Sequence, residues 1–218
     1  MTRSYFDKEL QDLQLSILRM GSRVEEALIN SIQALKSKDI ELAEKVIIAD
    51  DVIDRMELEI EDACLKLIAL QQPMAKDLRI IATSLKIITD LERMADHAVD
   101  IAKITKRLAN EKYIKELIDI PRMAEIVTEM VRDSIDAYVN QDAEKAKEIS
   151  ERDDIVDGIH SQIFRELLVL MMEDPKKINQ STSFLFVSQY IERVADHVTN
   201  ICEWIIYANT GIHPDLNE

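Results

Sequence analysis

Residues 91–97 read Leu-Glu-Arg-Met-Ala-Asp-His, and residues 191–197 read Ile-Glu-Arg-Val-Ala-Asp-His. The Glu, Arg, Ala, Asp and His positions are identical, and the other two exchange one apolar residue for another. The match extends upstream. Asp50-Asp51-Val52-Ile53-Asp54 returns as Asp153-Asp154-Ile155-Val156-Asp157. At the same offset Met20, Val24, Glu26, Ser31, Ala34 and Asp39 return as Met123, Val127, Glu129, Ser134, Ala137 and Asp142. An ordered correspondence over about a hundred residues is the mark of a duplication. The 218 residues suffice for one large domain or two small ones.

Apolar residues recur at helical spacing through each copy. Leu10, Leu13, Ile17, Met20, Val24, Ala27, Leu28, Ile32 and Leu35 trace one face of a long first helix. Ser37-Lys38-Asp39 breaks that pattern, and Asp39 is suited to cap a second helix carrying Leu42, Val46, Ile53, Met56, Ile60, Ala63 and Leu67. Gln71-Gln72-Pro73 ends it. A third helix starts near Ala75 and carries Leu78, Ile81, Leu85, Ile88, Ala95, Val99 and Ala102. The stretch Asn110-Glu111-Lys112 divides residues 1–110 from residues 111–218, each expected to form an antiparallel three-helix bundle. Composition agrees with an all-α chain of six long helices. Gly (3) and Pro (4) are scarce, aromatics are 5 %, and apolar residues reach 47 %.

The formal charge is −15, from 27 Lys and Arg against 42 Asp and Glu. Such a surface repels nucleic-acid phosphate and anionic lipid, leaving cations and basic protein surfaces as attractive partners. Cys64 and Cys202 sit inside apolar helical runs and read as packing residues. The opening residues lack a signal-peptide pattern, and the longest apolar run, Leu167 to Met172, is far too short to cross a bilayer. A cytoplasmic location is the expectation.

The residues with chemical potential are acidic and periodic. At about 100° per residue, Ile88, Ala95 and Val99 set the core direction of the third helix. Glu92 then projects within the apolar stripe, Asp96 on its shoulder and Asp100 further round. Asp50, Asp54, Glu57 and Glu61 follow one shoulder of the second helix. Both shoulders lie on the same rotational side, so in an antiparallel pair they converge. The expected groove sets Asp50, Asp54 and Glu57 against Glu92, Asp96 and Asp100. Its copy sets Asp153, Asp157 and His160 against Glu192, Asp196 and Asn200.

Like charges four residues apart on a helix cost about 0.2–0.5 kcal/mol per pair, and opposing two such rows costs more. A bound cation reverses the sign. Hard oxygen donors without thiolate suit Mg, Ca, Mn or oxidised Fe, and also admit Zn. An acidic helix face on its own is ordinarily solvated surface; here the convergence, the duplication and the apolar neighbours of Glu92 and Glu192 favour metal. Arg93 and Arg193 offer the competing outcome, a salt-bridged bundle. His97 and His197 are expected opposite the core, on the surface. His160 is equally well a ligand or a surface residue, and His213 lies in a Gly- and Pro-containing tail.

At these residues the chain resembles the PhoU family along essentially its whole length. The resemblance rests on Gln72-Pro73-Met74-Ala75-Lys76-Asp77-Leu78-Arg79, on Asp90-Leu91-Glu92-Arg93-Met94-Ala95-Asp96-His97, and on the Ile191–His197 element. It implies two three-helix bundles and multinuclear metal clusters, with iron the foremost candidate. Paired acidic motifs would hold them, here Asp50 and Asp54 with Glu92 and Asp96, and Asp153 and Asp157 with Glu192 and Asp196. Asn200 in place of Asp100, with His160 and Phe164 in place of Glu57 and Glu61, leaves the second site poorer in negative charge. The resemblance further implies a regulator that restrains phosphate uptake through a phosphate-specific ABC transporter and a sensor histidine kinase, commonly as a dimer.

No catalytic nucleophile or phosphate-cradling Gly-rich loop is evident, so an enzyme is not the expectation. Two rivals remain. A carboxylate-bridged di-iron oxidase or ferroxidase would need Glu-x-x-His motifs, but Ala95 and Ala195 stand where the His would be. A metal-free helical scaffold would use the acidic seam only to dock basic partners.

Overall fold

In both copies the first connection is written by two adjacent residues. Lys38 and Gln141 take left-handed backbone conformations, with φ of 59° and 53°. These bends let the amides of Asp39 and Asp142 donate back to the carbonyls of Ala34 and Ala137, at 3.0 and 2.9 Å. The same two aspartates then cap the next helix: Asp39 accepts from the Leu42 amide and Asp142 from the Lys145 amide, both at 2.9 Å. One turn is thus encoded twice.

The computed structural model describes residues 3–71 and 73–216. Its helices are α1 (Arg3–Ser37), α2 (Ile40–Gln71), α3 (Ala75–Leu108), α4 (Asp119–Asn140), α5 (Ala143–Ser150), α6 (Asp153–Glu173) and α7 (Ile178–Thr210), with a 3-10 turn at Pro175–Lys177. No strand occurs among the described residues. Gln72, expected in the turn after α2, lies outside them.

The six expected rods are present, the fifth in two segments. Around Glu151 and Arg152 the hydrogen bonds tighten: the Arg152 amide reaches Ile149 and the Ile155 amide reaches Arg152, three residues apart instead of four. Arg152 there turns to Asp133 on α4, at 2.7 Å. The first copy has Ile48 and Ala49 at these positions and stays helical.

Each copy packs its three rods around α3 or α7, and one continuous apolar cluster runs through both copies. The copies meet along α3 and α7, which lie antiparallel: Arg79 reaches the Ala208 carbonyl, Thr83 the Trp204 carbonyl, and Arg107 the Ser183 hydroxyl. Ile80, Ile87, Met94, Ile101 and Leu108, all buried and seven residues apart, fall by helical spacing on the side of α3 that carries Thr83 and His97. The central helix therefore carries two apolar stripes, one for its own bundle and one for its sister. α1 and α4 meet on the far side, where Gly21 admits Ile135; a Cβ on Gly21 would stand 2.8 Å from Ile135 Cγ1.

Candidate metal centre

α2 and α3 bring the first acidic row together as the antiparallel geometry requires. Burial, reinforced by the charges of Asp54 and Asp96, pushes the Asp50 carboxyl up to about 6. Glu92 is also raised, by burial and then by Asp96, with Glu57 and Asp54 contributing from α2. Glu57, raised by burial, accepts a 3.4 Å hydrogen bond from Thr89 on α3. Asp50, Glu57, Glu92 and Asp96 are half-buried and Asp54 is exposed. Asp100 pairs with Lys103 at 3.1 Å, and its charge acts on His97 and Tyr190 towards α7.

The second row has fewer acids, yet its carboxyls are raised as well. Asp153 is pushed up to about 7, by burial first and then by Asp157, Asp196 and Glu192. Its Oδ1 is buried and has no hydrogen-bond partner. Asp196 and Glu192 are raised by burial, and each feels Asp157 across the helix pair. Gln189 donates to Glu192 at 2.6 Å. His160 turns to the Ser188 hydroxyl, 3.1 Å away, and burial lowers its pKa. Asn200 is half-buried on α7. In both rows burial is the first cause; Lys103 tempers Asp50, and Arg193 tempers Glu192 and Asp196. Arg93 contacts Glu92 at 3.4 Å and Asp96 at 3.2 Å, so the salt-bridged arrangement is realised in the first row.

Do these residues suit a cation? The donors are carboxylate oxygens, and the partnerless Asp153 Oδ1 is a buried acceptor without a donor. The donor set fits a hard, multivalent ion. Among the described residues, however, no three His, Cys, Asp or Glu side chains already stand close enough to hold one. The rows share an electrostatic field rather than a finished coordination sphere.

The histidines require a correction. His97 and His197, expected on the surface, lie in the α3–α7 contact with ring centroids 5.8 Å apart. His97 stacks on Tyr190, its Nδ1 is buried without a partner, and burial with His197 nearby pushes it down to about 4. His197 Nδ1 lies 2.8 Å from Asp90 Oδ1. A single apolar stripe per helix leaves these histidines facing solvent. The heptad through Ile80, Ile87, Met94, Ile101 and Leu108 was the available signal that the opposite side is covered too. Thr89, Ser188 and Gln189, which hold Glu57, His160 and Glu192, carry no sequence signal of their own.

A duplicated six-rod helical frame with a row of interacting acids in each half defines a tandem three-helix-bundle protein. A family model for the PhoU domain matches residues 17–105 and again residues 120–205. The chain belongs to the PhoU family. It is 49 % identical over the full length of both chains to a Clostridium acetobutylicum protein named phosphate-specific transport system accessory protein PhoU homolog. An Aquifex aeolicus protein of the same name is 43 % identical over 94 % of this chain and 92 % of its own. The crystal structure of PhoU from Pseudomonas aeruginosa superposes with a TM-score of 0.91 at 33 % identity, covering 95 % of this chain and all of that one. A Streptococcus pneumoniae phosphate transport system regulatory protein PhoU gives 0.90 at 34 % identity, over 96 % and 99 % of the two chains.

Proposed function

We propose that this chain is a metal-binding, non-enzymatic accessory regulator that restrains phosphate uptake. In this reading it acts in the cytoplasm as a homodimer, by contact with a phosphate-specific ABC transporter and a sensor histidine kinase. The observation that carries the regulatory role is full-length similarity to proteins named as accessories of phosphate-specific transport. Among the described residues no helix is long and apolar enough to cross a membrane, which is consistent with action through a membrane-bound partner.

The partnerless Asp153 oxygen and its charged neighbours support the metal half of the proposal. Asp50, Asp54, Glu57, Glu92, Asp96 and Asp100 would hold ions in one cleft. Asp153, Asp157, His160, Glu192, Asp196 and Asn200 would do so in the other. Iron is the first candidate, with Zn, Mn or Mg as alternatives. A multivalent cation supplies the positive charge that the opposed carboxylates otherwise lack. Thr89, Ser188 and Gln189 orient the flanking ligands.

The test is labelled-phosphate uptake in a bacterial strain whose own PhoU-family gene is deleted. Expression of this chain lowers uptake in phosphate-rich medium. Replacing Glu92, Asp96, Glu192 and Asp196 together by Ala abolishes the restraint at equal expression. Uptake indifferent to the wild-type chain contradicts the regulatory role; full restraint by the variant contradicts the part played by the acids. The metal-free scaffold keeps one observation in its favour, the Arg93 contacts with Glu92 and Asp96. Oxygen-dependent turnover by iron-loaded protein would bring back the enzymatic alternative.

A further inference from the structure

The flank of α2 opposite its acidic row faces α1 across an open groove, which holds a cavity of about 500 Å³. Its floor is apolar: Leu13, Ile60 and Leu67 are buried beneath it, and Leu70 stands 69 % exposed at one end. Its rim is acidic, with Glu9 and Asp12 on α1 and Glu59 and Asp62 on α2. Lys66 is paired with Asp62. Among the described residues no ion pair reaches Glu9, Asp12 or Glu59, while Arg19 is the other cation of the lining.

A second cavity of about 270 Å³ continues the groove between the same two helices, reaching Asn30 on α1 and Leu42 on α2; its rim is mixed, with Arg23 paired to Glu26 and Lys45 nearby, so the acidic rim belongs to the first cavity. From Glu9 to Asn30 the groove is about 30 Å long at 1.5 Å per residue. That length matches a helix of about five or six turns. The corresponding stretch of the second copy is arranged differently. α4 begins only at Asp119, and the linker before it lies on α6 through the Lys115–Glu166 pair.

We propose that the α1–α2 groove seats an amphipathic helix of a partner protein, apolar on one face and flanked by Lys or Arg, as a fourth helix of the first bundle. Three helices leave an apolar furrow that a fourth completes, and an apolar helix face in such a furrow is a recurrent mode of recognition. The choice of a basic helix follows from Glu9, Asp12 and Glu59 on the rim of the first cavity, where Lys or Arg of a partner would find opposite charge. The groove is separate from the carboxylate clefts, so the inference goes beyond the metal reading and stands without it.

The test uses the full chain without added metal and two fluorescein-labelled helical peptides of about 20 residues, sharing one Leu/Ala face and flanked by Lys or by Glu. Fluorescence polarisation is expected to show the Lys peptide binding at least about tenfold more tightly than the Glu peptide, with affinity falling as salt rises. Asp12→Lys with Glu59→Lys weakens the Lys peptide by about tenfold. Leu70→Asp weakens it by about fivefold. A control of equal charge change on α5, Glu144→Lys with Glu148→Lys, stays within about twofold. All these positions are solvent-exposed, and circular dichroism checks that each variant keeps its helicity. Absent binding, equal loss in the α5 control, or binding indifferent to the groove substitutions overturns the proposal. So does a dimer, seen by sedimentation, that Leu70→Asp dissociates, because it would assign the groove to a second copy.

Discussion

Asp153 holds a buried carboxylate oxygen that no donor reaches, in a field made negative by Asp157, Asp196 and Glu192. Its pKa, pushed up from 3.8 to about 7, means that the metal-free folded chain holds this proton more tightly than the unfolded chain does. Between these values the native state binds more protons, so stability falls as pH rises. The contribution is intact below the ordinary aspartate value and fully lost above about 7. Asp50, raised to about 6, acts in the same sense over a narrower window. In chelator, the melting temperature should fall between about pH 4 and 7 beyond the trend of Asp153→Asn, whose curve should be flatter there. Identical pH profiles for the two proteins would remove Asp153 from this role. The acids themselves were legible because their spacing and duplication are explicit in the residues. The fate of His97 and His197 was not, because the stripe through Ile88, Ala95 and Val99 serves one bundle, whereas the packing of two bundles on α3 demands two.

Among the helices, the twice-written α1–α2 and α4–α5 turn was legible from Asp39 and Asp142, whose caps recur at a fixed offset. Replacing Asp142 by Ala should cost about 1 kcal/mol in chemical denaturation, through loss of the bond to the Lys145 amide. A change near zero would show that water serves that amide equally well. The interruption between α5 and α6 was not legible, because no Gly or Pro marks Glu151 and Arg152, and the Arg152–Asp133 contact found there is long-range. Gly21 is a second such case. A glycine inside a long helix is disfavoured by about 1 kcal/mol relative to Ala, so sequence alone marks it as a weakness. Its place against Ile135 reverses that judgement. Gly21→Ala should destabilise by about 1–3 kcal/mol through overpacking, outweighing the gain in helix propensity. Ile135→Val in the same background should recover part of the loss, and a stabilised Gly21→Ala chain would contradict the close α1–α4 approach.

Across the whole molecule, two copies of one unit are joined along α3 and α7 into a frame with a single apolar cluster. Each unit holds its own acidic cleft. The six-rod all-α architecture could be read from periodicity, few turn formers and the repeat. The depth of the α3–α7 contact could not, since it depends on how two bundles meet. The second row has fewer acids yet also holds a strongly raised carboxyl, because burial is the leading cause at Asp50 and Asp153 alike and neighbouring acids add to it in both rows. A cation that binds the folded chain alone must stabilise it. Saturating Mn, Zn or Fe should therefore raise the melting temperature, and more weakly in a chain with Glu192→Ala and Asp196→Ala; no change at saturation would count against binding. The most direct measurement is the metal content per chain of protein purified without added metal or chelator. It would be compared among the wild type, the Glu92→Ala/Asp96→Ala variant and the Glu192→Ala/Asp196→Ala variant at equal helicity. Bound ions in the wild type, with each double variant losing only its own cleft's share, are predicted; a wild-type chain that carries no metal, or the same content in all three proteins, would contradict the assignment of the clefts as metal sites.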